Sequence, residues 1–153
     1  MQRWKRAAFP LLGMLMGCGS AQSQPCDDLP GCMQAIREQA QPRDGSRIRG
    51  MGRDDDALKE AVLAHEGAVE ALVPLLADPD ERVAGLAAYM LRDAPSIDPA
   101  HLPRIIEGLD RKLGWLPPAL ARIGTEAAAK EAVDRFLVSR SAPSNQEAYA
   151  LVL

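Results

Sequence analysis

Chemistry in this chain would have to come from two histidines, two short runs of carboxylates and a few aromatic side chains. His65 and His101 are the only histidines, and in sequence neither stands beside a Cys, another His or an acidic pair at ligand spacing. Structural zinc sites draw four such donors from short, regular spacings, so the sequence gives no reason to expect a metal or any other cofactor. His65 falls on the apolar stripe of a helix candidate, as a partly buried histidine with a local partner would, and His101 sits near a helix start. Asp54-Asp55-Asp56 and Asp78-Pro79-Asp80-Glu81 lack the alternating ligand positions and closing bidentate Glu of calcium loops. Both runs stand where helix N-termini favour negative charge. No Gly-x-Ser-x-Gly, His-Glu-x-x-His, phosphate-binding glycine loop or dinucleotide fingerprint occurs, so no enzyme and no small-molecule substrate are expected. Trp115, before Leu116-Pro117-Pro118, and Tyr89, beside the apolar stripe of its helix, fit packing between units; they are also the candidates for partner contact, since such aromatics anchor protein interfaces.

The start of the chain has a different chemistry. Arg3, Lys5 and Arg6 precede the ten apolar or small residues Ala7 to Met16, and Gly17-Cys18-Gly19-Ser20 follows. A spanning helix needs roughly 20 apolar residues, so this run reads as a cleavable signal peptide and not as a permanent anchor. Leu15-Met16-Gly17-Cys18 resembles the lipobox of bacterial lipoproteins, with Met16 where that family more often has a small residue. The resemblance implies cleavage before Cys18, acylation of Cys18, and attachment to a membrane of the cell envelope. Gly19, a non-aspartate after that cysteine, implies the outer membrane, facing the periplasm. Gly19-Ser20-Ala21 also offers ordinary cleavage after Ala21.

With Cys18 acylated, the two remaining cysteines, Cys26 and Cys32, form a matched pair around Asp27-Asp28-Leu29-Pro30-Gly31. In an exported protein they are expected to close a small disulfide loop. Removing residues 1–17 takes away Arg3, Lys5 and Arg6 and no acidic group, so 136 residues remain and the net charge moves from −3 to −6. Such a balance disfavours nucleic acid and anionic lipid as electrostatic partners. The window 61–99 alone holds seven acidic groups against Arg82 and Arg92, a net −5 suited to a basic partner surface.

Composition divides the chain into a signal peptide at 1–17 and a flexible tether at 18–25. A disulfide loop, short helix and linker follow at 26–53, and an Ala- and Leu-rich region at 54–153. In the last region apolar residues recur at helical spacing with no strand-like alternation, so the expected class is all-α, without β-sheet. The expected stripes are Val69, Leu72, Val73 and Leu76; Val83, Leu86, Ala87, Met90, Leu91 and Ala94; Leu102, Ile105, Ile106, Leu109 and Leu113; Leu116, Leu120 and Ile123; and Ala129, Val133, Phe136 and Leu137. Asp80, Asp98 and Thr125 are candidate N-caps, and Ser144 with Glu147 forms a capping-box pattern opening a last helix over 145–153.

Gly67 to Ala88, with its Ala-Val-x-x-Leu opening, Asp-Pro-Asp-Glu turn and Arg-Val-Ala second helix, resembles a HEAT-like repeat of the phycobilisome-lyase type. Residues 98–124 and 125–153 resemble it more loosely, without the Asp-Pro-Asp turn, and the helix carrying Leu58, Val62 and His65 fits the second half of a degenerate first unit. The resemblance implies antiparallel hairpins stacked as a short α-solenoid that serves as an interaction scaffold for another envelope protein. The family name alone suggests the alternative of an enzyme or chromophore-attachment factor. The apolar ending Ala148-Tyr149-Ala150-Leu151-Val152-Leu153 calls for cover from Phe136 and Leu137, from a partner, or from further repeats.

Overall fold

A computed structural model describes residues 26–41 and 53–138. Cys18, the tether, most of the linker and the helix expected over 145–153 lie outside the described residues. Among the described residues the chain is all-α: seven α-helices and two short 3-10 segments, with no strand.

The first helix, α1, runs Leu29–Ala40 and starts inside the Cys26–Cys32 loop. Asp28 caps it by accepting from the Gly31 amide at 2.7 Å, and Pro30 occupies the first turn, where no amide partner is needed. The Pro-Gly pair, which reads as loop, is thus the opening of a helix. Cys32, Ile36 and Ala40 repeat at i, i+4 and i+8 and are buried in the same core as the later helices. Helix α2, Arg53–Leu63, packs on α1 through Leu58 and Val62, with Asp54, Asp55 and Asp56 in its first turn.

Helix α3, Ala68–Leu72, is cut short at Pro74 and continues as a 3-10 segment over Val73–Ala77. Proline has no amide for the carbonyl four residues back and its ring crowds that turn, so the chain tightens to three-residue bonding. Leu72, Val73, Leu75 and Leu76 are buried, while Val69 is only partly covered. Helix α4, Glu81–Leu91, opens on Asp80, whose side chain accepts from the Arg82 amide at 3.0 Å. Eight of its eleven residues are buried, and it lies against α1, α2, α3 and the 3-10 segment. A helix apolar nearly all round belongs in the middle of a fold, and α4 is that middle. Asp80→Ala should cost about 1 kcal/mol by freeing this N-terminus, measured as a drop in denaturant midpoint at unchanged slope.

The Asp-Pro-Asp-Glu turn is a structural joint. Asp78 accepts from the Asp80 amide at 3.0 Å and from Arg37 of α1 at 2.7 Å, and Arg111 donates to the carbonyls of Leu76 and Asp78. Asp98 caps a 3-10 turn at Pro99–His101 that leads into α5, Leu102–Asp110, where Ile105, Gly108 and Leu109 are buried. Leu113 lies past the end of α5 and packs against the core from the following turn. In that turn Lys112 has φ of 62°, a left-handed position usually given to glycine. Helix α6 spans Ala119–Ile123 and ends on Gly124 in the same left-handed region.

Helix α7, Glu126–Val138, starts with the Ala128 amide donating to Thr125 Oγ1 at 3.3 Å. Its buried face is Ala128 and Ala132, not the expected Ala129, Val133 and Leu137; Ala129 is exposed and Phe136 half-buried. The alanines let α7 approach α6 closely, and the ion pair of Arg135 with Asp110 of α5 at 2.7 Å fixes the same rotation. Val133 and Leu137 are left 37% and 53% exposed.

Candidate functional site

Tyr89 and Trp115, 26 positions apart in sequence, touch. Their rings meet edge-to-face with centroids 5.4 Å apart and planes at 78°, a favoured geometry for aromatic pairs. Tyr89 projects from α4 and Trp115 from the turn between α5 and α6. The Arg92 guanidinium, one turn after Tyr89, lies 4.6 Å from the Tyr89 ring centre and 5.2 Å from that of Trp115. Lys59 Nζ, from α2, sits 4.8 Å from the Tyr89 ring. Cations at these distances are attracted to the ring faces.

Two carboxylates complete the cluster. Lys59 reaches Asp93 at 2.7 Å and Asp56 at 3.2 Å, Arg92 pairs with Asp93 through Nη2 at 2.8 Å, and the Tyr89 hydroxyl donates to Asp56. Two cations face two carboxylates, so the charges within the cluster balance. Tyr89 is 6% exposed and works as the brace beneath; Trp115, at 42%, carries the outward surface. Lys59, Arg92, Asp56 and Asp93 were not legible as site residues. Only Arg92, three positions after Tyr89, carried a local hint.

The electrostatics have a measurable consequence. Arg92, and then Lys59, hold the Asp93 carboxyl down at about 2, against 3.8 for the free group. Asp56 is also lowered, chiefly by the Tyr89 hydroxyl and then by Lys59, while its carboxylate together with burial pushes the Tyr89 phenol up. A depressed carboxylate stabilises the fold above its unfolded value and loses that contribution as pH falls through its folded value. Thermal stability should therefore decline as pH falls from about 4 towards 2. Asp93→Asn should lower stability at neutral pH and flatten that part of the curve, followed by circular dichroism melts.

Part of the acidic excess of window 61–99 is met from outside it: Arg37 pairs with Asp78 and Lys59 with Asp93, while Arg111 bonds the backbone carbonyls of the Asp78 turn. Asp54, Asp55 and Asp56 lie in the first turn of α2 as expected, and Asp55, buried, accepts from Gln39 at 3.1 Å.

Cys26 and Cys32 are joined in a disulfide, with Cα atoms 5.0 Å apart. The turn after α2 brings His65 to them: its ring nitrogen and the two sulfurs all lie within 4.8 Å of one another. The sequence holds no donor beside this pair; the fold supplies one. His65 is half-buried and also lines an open groove of about 500 Å³ with Glu70, Ser96 and Asp98. His101, half-buried in the 3-10 turn before α5, is not part of this group. No described helix is long and apolar enough to cross a membrane. Compared with known proteins, the chain matches no family model, no curated protein and no solved structure.

Proposed function

We propose that this chain is a lipid-anchored protein of the bacterial envelope, held by acylated Cys18 on the outer membrane facing the periplasm. Its helical hairpins act as a HEAT-like, non-catalytic docking module for another envelope protein. The observation that carries the reading is Trp115, a large ring braced by Tyr89 and Arg92 yet 42% exposed. A pre-ordered aromatic loses little entropy on binding, and such residues dominate interface energies. The turn that presents it contains Lys112 in the left-handed region.

From the 3-10 segment onward, contacts that run from neighbour to neighbour support the solenoid arrangement, while α1 to α4 pack together as one group. The 3-10 segment packs on α4 and α5, α5 on α6, and α6 on α7. In stacked repeats each unit rests on the next, and the joined surface recruits partners. The anchor rests on the lipobox resemblance at Leu15-Met16-Gly17-Cys18.

Affinity capture of the acylated protein from detergent-solubilised envelopes tests the docking function. One protein should co-purify in near-equal amount with the wild type, and Trp115→Ala should weaken its binding by about thirtyfold in Kd and lower its recovery, the effect of losing a hot spot worth about 2 kcal/mol. Equal recovery by both would remove Trp115 from the docking surface. The anchor has its own readout: mass spectrometry should find acyl chains on Cys18, and Cys18→Ala should block maturation. An unmodified N-terminus at Gln22 would contradict it.

A further inference from the structure

The Cys26, Cys32 and His65 group shares no residue with the Tyr89–Trp115 cluster. Its placement follows from local structure. Asp28 and Pro30 fix the first turn of α1, which puts Cys32 at the fourth helical position and Cys26 just ahead of the cap. In the turn after α2 the His65 amide donates to the Val62 carbonyl at 3.1 Å, and Gly67 takes φ of 78° at a place where an added Cβ would touch the Leu29 side chain of α1. This turn is therefore pinned against the start of α1, and His65 with it.

We propose that Cys26, Cys32 and His65 form a redox-gated site for a soft divalent metal ion of the zinc class. The disulfide is its closed state, and the dithiol its metal-binding state. Two thiolates and an imidazole suit zinc and its neighbours, whereas calcium and magnesium need oxygen ligands that this group lacks. In a tetrahedral site with metal–sulfur bonds of about 2.3 Å and a metal–nitrogen bond of about 2.0 Å, donors lie roughly 3.5 to 3.8 Å apart. The three donor atoms, within 4.8 Å of one another, reach that spacing by side-chain rotation once the sulfurs separate. Three protein ligands leave a fourth position for water.

Charge favours the assignment. A divalent ion with two thiolates is neutral, which suits a site where Cys32 is fully buried and Cys26 nearly so. His65 supplies the route in, because it also borders the solvent-open groove. The chemistry balances with a dithiol as reductant. Its two thiols give up two electrons and two protons to the Cys26–Cys32 bond, leaving two cysteine thiols and the reductant's own disulfide. Binding of the ion then displaces both thiol protons to solvent.

The test uses the full-length chain carrying Cys18→Ser, so that no third thiol competes, with cobalt(II) as a spectroscopic probe for zinc. After reduction by a phosphine without oxygen, one equivalent of cobalt should give a thiolate-to-cobalt charge-transfer band and the intense visible bands of tetrahedral cobalt, and zinc should abolish both. The oxidised protein should give neither. His65→Ala should weaken cobalt binding by about tenfold or more while circular dichroism shows the helices intact, and His65→Cys should restore it with a stronger charge-transfer band. Absence of the charge-transfer band from the reduced protein, folded or not, would overturn the proposal. So would equal affinity in His65→Ala, which would mean that the thiols bind the ion without the histidine.

Discussion

Leu91→Ala should lower the unfolding free energy by about 2 to 5 kcal/mol, the largest loss expected from truncating one side chain of this fold. Leu91 is fully buried at the end of α4, the helix that touches α1, α2, α3 and the 3-10 segment. A domain of this size holds only about 5 to 15 kcal/mol in all. A loss of about 3 kcal/mol corresponds to a fall of roughly 12 to 24 °C in melting temperature. Val133→Ala, on the exposed face of α7, is the matched control and should shift the melt little. Similar shifts for the two variants would mean that α4 is not the centre of the fold.

The second large effect concerns the disulfide. Cys26→Ser with Cys32→Ser opens a closed loop of seven residues, and the chain-entropy relation gives about 2 kcal/mol for a loop that short. The loop holds the cap of α1, and α1 buries Cys32, Ile36 and Ala40 against the other helices. Loss should therefore appear first as weakened protection of the α1 amides in hydrogen exchange, then as a lower denaturant midpoint. Wild-type protein treated with a phosphine should match the double variant. If reduction leaves the midpoint unchanged, α1 is held by packing alone. Zinc should raise the midpoint of the reduced wild type and leave the double variant where it is, because an ion stabilises only the state that binds it.

Local chemistry was the legible part of the fold. Asp80, Asp98 and Thr125 cap the segments they precede, because a short acceptor next to unsatisfied amides needs no long-range partner. Pro74 and Pro30 were less transparent. The periodicity of Val69 to Leu76 spans both α3 and the 3-10 segment, and apolar spacing alone does not separate four-residue from three-residue bonding. In α7 the pattern pointed to the larger residues, but close packing on α6 selected the alanines, a choice made by the partner helix.

The site divides the same way. Tyr89 and Trp115 stood out singly, by residue type and position. Their contact, and the bracing of Tyr89 by Lys59 and Asp56 from α2, join residues about 30 positions apart. No spacing rule reaches that far. The meeting of His65 with Cys26 and Cys32 was hidden for the same reason, since it depends on the α2 turn resting against the first turn of α1.

The central claim is that Trp115 is where a partner docks, and crosslinking from that position in living cells tests it directly. A photoreactive aromatic amino acid, which keeps a ring at position 115, should on illumination give one discrete adduct with a single envelope protein. The same group at Lys130, exposed on α7, should give none. No adduct from position 115, or the same adducts from both positions, would contradict the claim.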